Sequence, residues 1–214
     1  METDVHATRD GVAVVMHDDT LDRMTGVQAR VEQLSYPDLA SIRVAGAAAI
    51  PTLAEVLEAW PGIKFNIDIK ADSAVAPTIA AVHRTGAEAR VLLAAFSDAR
   101  LRAVRTQTKG KIATSLAQRE VRNLWLASRV GLRVRVPESV VAVQVPVHHG
   151  RLRVVDRRFL ALAHRLGLQV HVWTIDDPDE MAGLLDLGVD GIMTDRIAVL
   201  KEVFIQRGVW KDSQ

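Results

Sequence analysis

The sequence contains no cysteine, which excludes disulfides and thiolate zinc sites. It has no uninterrupted apolar run of about 18 residues, so no membrane span is expected. Residues 1–10 are charged and lack an apolar core, so no signal peptide is visible. A cytoplasmic location is then the default expectation, with a lost N-terminal leader as the alternative. An excess of either charge is lacking too: 27 Lys and Arg stand against 26 Asp and Glu, a net charge of +1. Such a balance gives no global pull toward nucleic acid or a membrane surface. What is present is a chain of 214 residues, 49% of them hydrophobic. That is enough for one domain, 1–214, with a sizeable core.

The stretch from Glu2 to Gly26 gathers the most chemistry. Glu2 and Asp4 are two apart, so on a strand both carboxylates face one side. Oxygen-rich pairs of this kind suit a hard divalent cation, Ca²⁺ or Mg²⁺. Asp10-Gly11 is a hairpin-turn signal between two apolar-rich stretches. The return run Val12–Met16 ends at His17 and Asp18, so the turn carries His17 back toward the two carboxylates. A metal site would then lie beside a group able to move protons near pH 7. The alternative is a solvated acid pair and a capping histidine. His6 shares the Glu2/Asp4 face and ranks below His17.

Downstream, strands and helices alternate. Ser35 reads as the N-cap of a short helix, after a polar segment of weak structure that follows Gly26. Leu53, Val56, Leu57 and Trp60 recur at helical spacing, with Trp60 expected in the core, and Pro61-Gly62 stops the helix. Ile63–Lys70 alternates apolar and polar residues, which places Asp68 and Lys70 on a polar strand face. Near a strand's C-terminal end in a parallel barrel, such a row reads as a site. Asp68 could complete a three-carboxylate cation site with Glu2 and Asp4, and Lys70 could hold a phosphate as a point charge. The alternative is an edge strand with a solvated face. Further strands are expected at Arg90–Phe96, Lys111–Leu116, Val140–Val145, Gln169–Thr174 and Asp190–Met193. Helices of about ten to fifteen residues separate them, the pattern of βαβ units and a parallel sheet.

These residues resemble a known family. ETDVHATRDGVAVVMHDDTLDRMTG, with IPTLAEVL, FNIDIK, QVHVWTIDDPDEM and LGVDGIMTD, is similar to the glycerophosphodiester phosphodiesterases. The resemblance implies an α/β fold, a (β/α)₈ TIM barrel of the phosphodiesterase type. Seven strands are counted, and the family's first strand and its His-Arg pair have no counterpart. The expectation is therefore a barrel truncated at its N-terminus to about seven strands. The resemblance implies metal-dependent hydrolysis of a small-molecule glycerophosphodiester to an alcohol and glycerol 3-phosphate, within lipid and glycerol metabolism. It assigns the cation to Glu2, Asp4 and Asp68, and leaving-group protonation to His17. Asp68 and Lys70 fall where the family has Glu-x-Lys, the Lys contacting phosphate. Two alternatives stand beside it: a catalytically impaired barrel that binds a cation or phosphate without turnover, and a chain that extends upstream of Met1.

Gln144 alternates inward on its strand and could bind a glycerol hydroxyl, or simply cap the barrel interior. Trp173 ends its strand and could wall the pocket, where similar proteins place an aromatic. Asp195 reads as a cap for the final helix. Arg129, Arg133, Arg135, Arg151, Arg153, Arg157 and Arg158, with His148 and His149, form a basic stretch. Its two readings are solvated loop and helix faces, or a surface for anionic headgroups; near-zero net charge favours the first. His83, His164 and His171 read as structural.

Overall fold

The computed structural model describes residues 1–210. The chain forms two compact units, residues 1–118 and 119–214.

The first unit begins with strand β1 (Glu2–Ala7) and strand β2 (Ala13–Val15), an antiparallel pair with Val5 opposite Val15 and Ala7 opposite Ala13. At the turn, the Thr8 hydroxyl donates to Asp10 at 2.6 Å, and Gly11 takes φ +78°, which glycine adopts without steric cost. The short helices α1 (Asp22–Thr25) and α2 (Tyr36–Ala40) follow, then a small ribbon of β3 (Arg43–Val44) and β4 (Ala48–Ala49). Ser35 caps α2 as expected, its hydroxyl accepting from the Asp38 amide at 3.4 Å. The segment after Gly26 is more ordered than its composition suggests. Val31, in a 3₁₀ turn, is buried with Val14, Met16, Leu21, Leu39 and Ile50 in a small core of its own.

Helix α3 (Leu53–Ala59) opens with a capping box: Thr52 Oγ1 accepts from the Glu55 amide at 3.1 Å, and Glu55 accepts from the Thr52 amide at 2.8 Å. Then come β5 (Phe65–Ile69), α4 (Val75–Arg84), β6 (Val91–Ala94), α5 (Asp98–Gln107) and β7 (Ala113–Ser115). β1, β5, β6 and β7 lie parallel in that order, with β2 on the far side of β1. Strand β5 is thus interior, bonded to β1 and β6, and the edge-strand alternative for Ile63–Lys70 is excluded. Phe65, Ile67 and Ile69 are buried in one core with Val5, Leu53, Leu57, Val82 and Leu101. Because strand side chains alternate, that packing leaves Glu2, Asp4, His6, Asn66 and Asp68 on the opposite face. Trp60 corrects the sequence reading. It follows α3 rather than continuing it, with φ −128° and ψ +69°, and is 47% exposed.

The second unit holds α6 (Gln118–Val130), β8 (Val140–Val145), a small hairpin of β9 (His148–His149) and β10 (Leu152–Arg153), and α7 (Arg157–Arg165). It continues with β11 (Gln169–Val172), α8 (Pro178–Leu187), β12 (Gly191–Ile192) and α9 (Ile197–Gln206). β8, β11 and β12 are parallel neighbours. Asp177 caps α8 through the Glu180 amide at 2.8 Å. Asp190 accepts from the Val170 amide at 2.7 Å and from His164 Nε2 at 2.8 Å, tying α7 to β11. Gly191 sits against the His171 ring; a Cβ there would lie 2.7 Å from His171 Cδ2. Asp195 does not cap α9. Arg196 takes the cap position without a side-chain bond, and the Asp195 amide donates instead to Asp176 at 2.9 Å. Among the described residues, no helix is long and apolar enough to cross a membrane.

Candidate active site

The parallel register of β1 and β5 builds the site. Asp4 pairs with Asp68, and Glu2 with Asn66. Four acidic or imidazole side chains, Glu2, Asp4, His6 and Asp68, therefore rise from the face turned away from the helices. Lys70 follows β5, with its amide donating to Val5 O at 3.0 Å. Its ammonium sits between the aspartates, 2.8 Å from Asp4 Oδ1 and 2.7 Å from Asp68 Oδ2. Desolvation works against the Lys70 charge, but the bonds to Asp4 and Asp68 outweigh it and hold its pKa above the ordinary lysine value.

One ammonium does not balance three carboxyl groups. Desolvation, helped by the charges of Asp4 and Asp68, pushes the Glu2 carboxyl up to about 7. Asp68 Oδ1 is buried with no hydrogen-bond partner. A buried carboxylate oxygen without a donor is costly, and an added cation would satisfy it. The donors are all hard oxygens, the set that Ca²⁺ and Mg²⁺ take. The residues present thus fit such an ion. Among the described residues, however, no three His, Asp or Glu side chains are already gathered as a metal cage.

The β1–β2 hairpin delivers the histidine. The Met16 amide donates to Asp4 O at 3.0 Å, which fixes the chain one residue before His17. His17 Nδ1 lies 2.7 Å from Asp18 Oδ1, and Arg23 Nε donates to Asp18 Oδ2 at 2.5 Å. These two bonds, Arg23 first, hold the Asp18 carboxyl far below its usual range, so it is an anion. Accepting at Nδ1–H, Asp18 leaves His17 Nε2 to exchange a proton with a ligand, the arrangement in which a carboxylate fixes a catalytic imidazole. His17 is exposed, its side chain 66% accessible. His6 is buried, and burial holds its pKa below the ordinary value. Its Nε2 lies 3.2 Å from His17 O; a carbonyl only accepts, so that nitrogen carries the proton. His6 thereby braces the His17 backbone.

A cavity of about 160 Å³ opens beside Lys70, lined also by His6, Asp19, Arg30, Glu32 and Ser73. It lies past the C-terminal ends of β1 and β5, where ligands bind in parallel α/β folds. Arg30 pairs with Asp19 at 2.7 Å and Glu32 at 3.2 Å. Sequence reasoning missed both Asp19 and Arg30. They come together by an isolated bridge of Thr20 with Arg30, which no periodicity announces. Asp18 and Arg23 belonged to the recognised stretch, but their grip on His17 was not read from it.

The structure therefore brings Glu2, Asp4, Asp68, Lys70 and His17 into one unit. Gln144 and Trp173 belong to the second. Gln144, near the end of β8, lies 3.4 Å from His171 Nδ1. Trp173 follows β11 and its amide donates to Val145 O at 3.3 Å.

Residues 1–199 match the glycerophosphoryl diester phosphodiesterase family. The chain is 41% identical over 215 residues, 98% of its length and 81% of the relative's, to "Probable glycerophosphodiester phosphodiesterase 2" of Mycobacterium tuberculosis. It resembles the crystal structure of a glycerophosphodiester phosphodiesterase from Agrobacterium tumefaciens with TM-score 0.75 and 21% identity, covering 94% of this chain and 84% of that one. It resembles an Oleispira antarctica phosphodiesterase, in complex with the product sn-glycerol-3-phosphate, with TM-score 0.75 and 18% identity, covering 95% and 84%. The fold these structures share with the chain is the α/β, TIM-barrel type.

Proposed function

The chain belongs to the glycerophosphoryl diester phosphodiesterase family, and from that premise we propose that it hydrolyses its glycerophosphodiester substrate with a divalent cation, Ca²⁺ or Mg²⁺, and with His17 as its acid. The activity itself, phosphoric diester hydrolysis, follows from the relatives. The products are an alcohol and glycerol 3-phosphate. Glu2, Asp4 and Asp68 would hold the cation, which when bound neutralises charge on the phosphoryl oxygens and lowers the pKa of a hydroxyl. Lys70, its ammonium between Asp4 and Asp68, would be the point charge for the phosphate. A hydroxyl oxygen bonds to phosphorus and gives its proton to solvent; as the P–O bond to the alcohol breaks, His17 Nε2 gives its proton to the leaving oxygen, with the Asp18 carboxylate at Nδ1 orienting the ring. The substrate is a small molecule; nucleic acid is not a partner on this reading.

The observation that carries the reading is the His17–Asp18–Arg23 chain, set beside a carboxylate group with one oxygen, Asp68 Oδ1, left without a donor. The alternative of a barrel that binds without turnover finds no support among the relatives. The test is release of glycerol 3-phosphate from glycerophosphocholine, with Ca²⁺ or Mg²⁺ and after chelation. His17→Ala is expected to lower kcat by a factor of roughly 10² to 10⁴. Turnover indifferent to chelation would sink the cation assignment, and a His17→Ala protein at full rate would sink the acid.

A further inference from the structure

The basic stretch of the second unit is not used by this chemistry, and its geometry is not that of scattered solvated charges. Four of its arginines, Arg129, Arg153, Arg157 and Arg158, line one cavity of about 400 Å³ with Asp156 and Leu187. Four guanidinium groups there meet one carboxylate. That carboxylate is already engaged: Asp156 Oδ1 accepts from the Arg158 and Phe159 amides at 3.1 and 3.0 Å, and Oδ2 accepts from Arg129 at 2.6 Å. Its capacity to neutralise the other three is spent.

Two of the arginines are held in place. The Arg129 guanidinium lies 4.6 Å over the Trp125 ring, and the same indole donates to Arg153 O at 3.3 Å. Arg153 Nε donates to Val155 O at 3.0 Å, which leaves its two Nη groups as donors. One tryptophan thus fixes both α6 and the β9–β10 hairpin against the cavity. Arg157 and Arg158, on the first turn of α7, are exposed and complete the lining.

We propose that this cavity binds a phosphate group, as free phosphate or a small phosphomonoester, or as the headgroup of an anionic phospholipid. Planar guanidinium groups, here two of the four held in place, match phosphate oxygens two at a time, which an ammonium, a point charge, does not. The volume falls within the range of small-molecule sites. No residue of the cavity belongs to the carboxylate and histidine site, so the two assignments stand or fall separately.

The test uses the full chain and inorganic phosphate at low ionic strength, titrated by calorimetry, against the double variants Arg157→Ala/Arg158→Ala and Arg157→Lys/Arg158→Lys. Turnover of glycerophosphocholine is measured on each and is expected to match the parent, which also shows that they fold. The parent is expected to bind phosphate in a step that the alanine pair weakens about tenfold or more, and that the lysine pair restores only in part. Phosphate bound at the other site contributes equally to all three proteins and drops out of the comparison. Sedimentation with phosphatidylcholine vesicles, with and without phosphatidylglycerol, separates the sources. Sedimentation that requires phosphatidylglycerol and the arginines assigns a headgroup. Phosphate binding without sedimentation assigns a soluble ligand. Equal phosphate affinity in the parent and the alanine pair, with equal sedimentation, overturns the proposal. So does full restoration by lysine, which would mean charge alone.

Discussion

Asp18 makes the His17 ring a directed group. With Asp18→Asn the Nδ1 partner is no longer an anion and Arg23 loses its ion pair. The expected outcome is a kcat lower by roughly tenfold to a hundredfold at little change in KM, with the pH profile displaced; an unchanged profile would show that Asp18 has only a structural part. His171 is a histidine kept neutral by burial. Burial holds its pKa below the ordinary 6.5, against a weaker pull upward from Asp190, and its ring meets Gln144, Gln169 and Gly191. The unfolded chain therefore takes up a proton as pH falls through about 6.5 while the folded chain does not. Stability is lost below that pH, and melting temperatures at pH 7.5 and 5.5 should differ less in His171→Gln than in the parent. At this scale the sequence was legible where chemistry is local. Glu2, Asp4 and His17 are set by a two-residue spacing and a hairpin. Trp60 misled because its helical spacing continues past the point where Pro61-Gly62 ends the helix.

Among the elements, α3 carries the clearest start signal, and it matters to the site because Thr52 also bridges Val14 of β2, the strand that leads to His17. Thr52→Ala removes the cap from the Glu55 amide. It should cost about 1 kcal/mol in chemical denaturation, and a loss well under half of that would mean that packing of Leu53 and Leu57 alone sets the helix start. The longer strands and helices were readable because Phe65, Ile67 and Ile69 alternate and Pro178 follows a capping Asp177. The two-residue ribbons β3–β4 and β9–β10 were not, since two residues cannot display a period. Asp195 failed as a cap for a different reason: α9 begins at Ile197, so the cap position falls on Arg196, one residue after it.

For the whole molecule, the succession of parallel strands with helices between them was legible, down to β1 and β5 as the carriers of the acids. What could not be read is the pairing of distant loops, such as Arg30 with Asp19, because nothing in the sequence fixes which turn folds onto which. The excess of carboxyl groups in the first unit gives a prediction about the entire chain. A cation bound by the folded form alone raises its stability by mass action, about 2.7 kcal/mol at a hundred times its Kd. Differential scanning calorimetry with Ca²⁺ or Mg²⁺ should show a higher Tm, and Asp68→Asn should reduce the gain. No shift with either ion would remove Glu2, Asp4 and Asp68 as ligands.

Lys70 between Asp4 and Asp68 also constrains how the gene can drift. A nucleotide change that removes the ammonium strands two carboxylates on neighbouring strands; one that removes either acid leaves the lysine half matched. Each single step is penalised, while paired steps are forgiven. In a library selected for folding alone, Lys70→Met with Asp4→Asn should survive more often than the product of the two single frequencies. The double-mutant cycle should give a coupling of about 1 kcal/mol or more. The three positions would then pass down a lineage as one unit of inheritance.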